Sequence, residues 1–194
     1  AFAQHRSADT FQDSRGCVAT IGKFDGVHLG HQLILDQLKA KAEELGLPAL
    51  VIIIEPHPEE FFATSPDKCP ARLSLIEEKL ARIESFNIDY ALVLRFDSQL
   101  SQLSAQAYVQ DILVDGLGIA AFIIGDDFRF GHQRGGDFAL LKSEGLKSGF
   151  EVFESATYEH NGERISSTYV RDCLQASDFE LVQQLLGRPY SLAG

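Results

Sequence analysis

From Cys17 onward, continuous apolar runs alternate with stretches in which apolar residues recur every three or four positions. "CVATI", "ALVIII" (49–54), "YALVL" (90–94) and "AFIIG" (121–125) are short and free of charge, the pattern of strands buried on both faces of a parallel sheet. "FEVFES" (150–155) reads as a later strand. Between them, "HQLILDQLKAKAEELG" places Leu35, Leu38, Ala42 and Leu45 at helical spacing and stops at Gly46 and Pro48. A second helix spans 74–86, opened by Ser74 with Glu77 three residues on in a capping-box pattern. Further helices start at Ser104 and cover 167–175 and 179–186. Strands separated by helices imply βαβ units, an α/β fold with a parallel sheet flanked by helices, and ligands beyond the carboxyl ends of the strands.

Composition narrows the partners. The 194 residues fit one domain, expected over 1–187, with 188–194 reading as the start of a linker. With 17 basic and 28 acidic residues the net charge is −11, against a broad electrostatic hold on nucleic acid or an anionic membrane. Three cysteines without a C-x-x-C pair suit reduced thiols and a cytoplasmic setting. No apolar run nears the roughly 18 residues of a membrane span, and the first residues lack a signal peptide's apolar core. The chain contains no methionine, so a fragment of a longer protein is expected.

Four loops carry candidate chemistry. "GKFDGVHLGH" (22–31) leaves a strand and enters a helix, where free backbone N–H groups and the helix dipole favour an anion. Gly22, Gly26 and Gly30 leave room for a phosphate to approach, and His28 and His31, three apart, can donate hydrogen bonds to phosphoryl oxygens. The same histidines also fit ordinary capping or surface roles; a metal site lacks a third ligand nearby. "RISSTYVR" (164–171) sets Ser166, Ser167 and Thr168 at a helix start with Arg171 one turn on, suited to a polyphosphate and equally to a plain N-cap. "GDDFRFGHQRGGD" (125–137) alternates Phe128 and Phe130 with Arg129, an arrangement that can stack a flat ring or simply cover the core edge. "EPHPEEFF" (55–62) is a proline-stiffened loop with His57, open to a binding or a stabilising role.

In this order and spacing the four motifs resemble the FMN adenylyltransferase (FAD synthetase) module of bacterial bifunctional riboflavin kinase/FMN adenylyltransferases, over about 17–194. The resemblance implies a Rossmann-like nucleotidyltransferase fold of the H-x-G-H superfamily. It implies ATP and FMN as substrates, FAD and pyrophosphate as products, Mg²⁺ accompanying ATP, and a riboflavin kinase domain in cis in the full-length protein. The catalytic residues would be His28, His31, Ser167 and Arg171. ATP would also meet Gly22, Lys23, Phe24, Asp25, Gly26 and Gly30, then Gly125, Asp126 and Arg129, with Ser166 and Thr168 beside Ser167. FMN would lie against Pro56, His57, Pro58 and Phe62, with Asp127, Phe128 and Arg134 opposite; no protein metal site is implied. Alternatives are a catalytically weak flavin- or nucleotide-binding module, or an adenylyltransferase for another phosphate monoester. Two positions depart from the family pattern: Lys23 stands where Asn is more usual, and Ile54 where an aromatic residue often precedes "EPHP". A chain ending here is expected to adenylylate FMN but not to phosphorylate riboflavin.

Overall fold

Strand order, rather than strand count, decides where a ligand can sit. The computed structural model describes residues 3–5 and 16–191. Its strands β1 (Ala3–His5), β2 (Cys17–Gly22), β3 (Ala49–Glu55), β4 (Tyr90–Arg95), β5 (Ile119–Gly125) and β6 (Glu151–Ser155) form one sheet in the order β1-β4-β3-β2-β5-β6. Every neighbouring pair is parallel. The chain leaves β2 to one side, builds β3 and β4, and then crosses to β5 on the other side. The order therefore reverses at β2, which is where open α/β sheets form their ligand crevice.

Val18, Ala19, Leu50, Val51, Ile52 and Phe122 have no exposure at all, as continuous apolar strands require in a sheet covered on both faces. One face is covered by α1 (Leu29–Leu45) and α3 (Ile76–Glu84), through Leu35, Leu38, Leu80 and Ile83. The other is covered by α5 (Ala105–Ala107), which runs on as a π-helical stretch over Tyr108–Gly116, and by α6 (Phe138–Ser148). A third cluster forms where α7 (Ser167–Gln175) and α8 (Phe179–Leu186) pack, around Val170, Val182 and Leu185. Short elements complete the chain: α2 (Pro58–Phe62), α4 (Ser98–Gln102), and the antiparallel pair β7 (Glu159–His160) and β8 (Glu163–Arg164).

The expected strands and most helices stand where the apolar pattern puts them, and Ser104 caps its helix, accepting from the Ala107 N–H at 3.1 Å. One expectation fails, and the apolar pattern leaves out one long helix. The helix after residue 74 begins one position later than the capping pattern implies: Leu75 is its cap, and the Leu75 N–H donates to Glu78 at 2.8 Å. Helix α6 was not expected at all. Its mid-helix Gly145 conceals it, and packing explains that glycine: a Cβ there would lie 2.5 Å from the carbonyl oxygen of Phe150. The expected linker falls on 188–194, of which 192–194 lie outside the described residues; Arg188 packs against the domain, donating to the carbonyl of Gly26 at 2.8 Å.

Candidate active site

The turn after β2 is shaped by its own side chains. His28 is extended (φ −69°, ψ 171°) and caps α1, its Nδ1 accepting from the His31 N–H at 3.3 Å. The two imidazoles stack with centroids 3.7 Å apart and planes 17° from parallel, and Phe24 tilts against His31 at 5.0 Å. Since Nδ1 of neutral His28 accepts, its proton sits on Nε2. His31 has Nδ1 buried without a partner, which leaves Nε2 as the nitrogen to meet a ligand.

Both imidazoles are held neutral. Burial, then the charge of Arg164, pulls His28 down to about 4 against the opposing pull of Asp25; burial, then His28, pulls His31 well below its ordinary value. The linkage follows: between the unfolded value near 6.5 and the folded value of about 4, the unfolded chain binds more protons, so stability falls as pH drops through that window. His28 alone is expected to remove on the order of 3 kcal/mol of unfolding free energy by pH 4. Denaturant titrations from pH 7 to 4.5 check this, and His28→Gln should flatten the slope.

The glycines of the turn also have local packing reasons. A Cβ on Gly30 would lie 3.2 Å from the His28 ring, and one on Gly22 would lie 3.1 Å from the Phe24 ring. Gly26 has φ +77°, which a side chain would strain. Its N–H donates to Ser74 Oγ at 3.0 Å, so the hydroxyl expected to cap a helix instead fastens the turn.

Asp25 is fully buried, and its carboxylate accepts from the N–H groups of Leu73 (3.0 Å) and Ser74 (3.2 Å) and from Arg171. Arg171 also donates to the carbonyl of Ala71, and Ser167 Oγ donates to the Asp25 carbonyl at 2.9 Å. Asp25 and Arg171 are thus strongly engaged with each other, and α7 is held against the turn. Ser166 caps α7 by accepting from Tyr169 N–H at 3.1 Å, while Thr168 stays exposed on its first turn.

The loop 55–62 shows the same economy of buried charge. His57, nearly buried, caps α2, and Pro58 is its first residue. Arg72 forks onto Glu60 and also donates to Glu55, while Nε2 of His57 lies 3.2 Å from Nζ of Lys79, whose side chain is wholly buried. Lys23, the departure from the family pattern, pairs with Glu59 at 2.7 Å and so joins the turn to α2. Phe62 is 62% exposed in an edge-to-face cluster with Phe61 and Phe96. Ile54 packs on the apolar cluster below and presents no aromatic face.

Across the switch point, Phe130 is buried and Phe128 stacks on it, centroids 5.5 Å apart and planes 10° from parallel. Phe130 thus covers the core edge; Phe128 is only partly buried. Asp126 and Asp127 both pair with Arg164 at 2.8 Å, and Thr157 donates to Asp126 at 2.5 Å. Arg129 and Arg134 are exposed, Arg129 donating to the Phe128 carbonyl at 2.9 Å. Arg72, Lys79, Arg164 and Arg188 are not singled out by any motif in the sequence, and Ser74 is placed there only as a helix cap.

A segment of chain, 71–79, therefore joins three parts of the candidate site: the His28–His31 turn through Asp25 and Ser74, the loop 55–62 through Arg72 and Lys79, and α7 through the Ala71 carbonyl.

Comparison with known proteins gives this geometry relatives. A bifunctional riboflavin kinase/FMN adenylyltransferase of Pseudomonas fluorescens is 50% identical over 182 residues, covering 94% of this chain and 58% of that protein. Its counterpart in Escherichia coli K12 is 44% identical over 179 residues, covering 92% of this chain and 56% of that protein. The chain thus spans a little over half the length of these relatives. A solved structure of a Streptococcus pneumoniae protein described as a macrolide-efflux protein superposes with a TM-score of 0.82 at 22% identity, covering 97% of this chain and 60% of that one, and speaks to the fold alone. The model of the FAD synthetase family matches residues 10–169. With that match over most of its length, the chain belongs to the FAD synthetase family.

Proposed function

We propose that the chain transfers the adenylyl group of ATP to FMN, giving FAD and pyrophosphate. The observation that carries this reading is the stacked, neutral His28–His31 pair at the mouth of α1, beside the switch point of the sheet. An oxygen of the FMN phosphate attacks the α-phosphorus of ATP in line, the new P–O bond forms, and the bond to the β-phosphate oxygen breaks as pyrophosphate leaves. The Nε2–H groups of His28 and His31 donate to α-phosphate oxygens as negative charge grows on them, which is where preorganised donors lower a barrier most. Ser167, Thr168 and the free N–H groups of α7 receive the β- and γ-phosphates. Arg171 takes part through its grip on Asp25, with its remaining donors turned to the leaving group.

Mg²⁺ fits as a companion of the nucleotide. Asp25, Asp126 and Asp127 are already engaged by protein cations and donors, so a magnesium ion would be held by substrate phosphates and water in place of these carboxylates. When bound, it neutralises charge on the triphosphate. The flavin lies between the exposed Phe62 and the partly buried Phe128, with Pro56, Pro58 and Arg134 around it. By its relatives' composition, a riboflavin kinase domain accompanies this one in cis, in a cytoplasmic protein.

FMN with MgATP should yield FAD and pyrophosphate in equal amounts. A chain that binds both without turnover would sink the reading in favour of a binding module. Faster turnover of nicotinamide mononucleotide or phosphopantetheine would reassign the acceptor.

A further inference from the structure

We infer that Lys79 is a positioning residue for this transfer, fixing the imidazole of His57 in one tautomer and orientation beneath the flavin-side loop; the inference rests on the reaction proposed above. Lysine is almost never fully buried unless paired, yet the side chain of Lys79 on α3 has no exposure. Its Nζ lies 3.2 Å from Nε2 of His57 and 4.0 Å from Oε2 of Glu55. That carboxylate oxygen is buried with no hydrogen bond, while Arg72 occupies its twin Oε1. The ammonium is therefore the charge that Glu55 Oε2 faces.

Burial draws Lys79 toward its neutral form while Asp25 and Glu55 oppose that; held as an ammonium it has donors only, so at 3.2 Å Nε2 of His57 supplies the lone pair and the proton of neutral His57 sits on Nδ1. His57 is the cap of α2, and its backbone N–H donates to Glu60 at 3.1 Å. A fixed ring here fixes the entry of the loop that carries Pro56, Pro58 and Phe62.

Charged groups face the pair from several elements, Glu55 from β3, Glu60 from α2, Arg72 from the segment before α3 and Asp25 from the turn after β2, and the titratable but neutral ring of His31 adds to them from α1. At His57, burial and Lys79 oppose protonation while Asp25 and Glu60 favour it; at His31, Lys79 acts in the same direction as burial, His28 and Lys23. Removing the Lys79 charge makes both rings easier to protonate.

Two measurements test the assignment. In the ligand-free wild-type chain, ¹⁵N spectra of the His57 ring should show the proton on Nδ1. In Lys79→Met, KM for FMN should rise about tenfold with KM for ATP nearly unchanged, and the acid limb of kcat/KM should move up by about one pH unit. A proton on Nε2 of His57 overturns the inference, as does a folded Lys79→Met chain whose acid limb and KM for FMN stay in place. If Lys79→Met does not fold, the wild-type tautomer decides alone. A wild-type chain that forms no FAD defeats the proposed reaction and with it the role in transfer, whereas the tautomer still reports on the Lys79–His57 contact.

Discussion

His31→Ala is expected to lower kcat for FAD formation by about 10²–10³-fold, the usual cost of removing one donor aimed at developing charge. The effect should fall on kcat because the imidazole is neutral in the free protein and gains most when the α-phosphate becomes more negative. Folding should suffer little. Losing the ring forfeits its stacking on His28 and its contact with Phe24, but it also removes a buried Nδ1 that has no partner, which by itself disfavours the folded state. Steady-state rates against ATP and FMN, with a denaturant titration alongside, separate these contributions. Turnover that survives with only KM raised would make His31 a binding residue.

Arg171→Ala is expected to lower the unfolding free energy by about 3–5 kcal/mol as well as to weaken ATP binding. Asp25 has no exposure, and without the guanidinium its carboxylate keeps the Leu73 and Ser74 donors but loses its counter-ion. The loss should shrink in the double variant Arg171→Ala/Asp25→Asn, where no buried charge is left unpaired. Thermal denaturation of the two variants and the wild type measures this, because interacting groups give non-additive changes. An Arg171→Ala chain as stable as the wild type would show that the guanidinium serves phosphate alone.

The sheet was legible because its strands are buried on both faces, so their runs of Val, Ile, Leu and Ala carry almost no polar interruption. The position of the candidate site was legible for a related reason: a strand that ends in Gly22 and a helix that begins at Leu29 leave the histidine-bearing turn at the carboxyl edge. Helix α6 was hidden by Gly145, which packing against Phe150 requires and propensity opposes. The start of α3 was misplaced because "SLIEE" satisfies the capping spacing twice, at 74/77 and at 75/78; the structure uses the second, since the Ser74 hydroxyl is drawn to Gly26 and Asp25. Lys79 in "EEKLARIE" reads as part of a solvated face, and only a carboxylate and an imidazole from distant sequence make its burial tolerable. Arg72, Arg164 and Arg188 escaped for the same reason: their partners are defined by the fold and not by spacing along the chain.

The segment 71–79 touches the histidine turn, the loop 55–62 and α7, so one short piece of chain is a common mount for all three. Two reactants held by independent loops would wander relative to each other, and an in-line attack tolerates little such error. When both loops hang from one short piece of chain, thermal displacement carries them together. In the proposed transfer, the quantity that such a shared mount would keep constant is the gap between attacking oxygen and phosphorus.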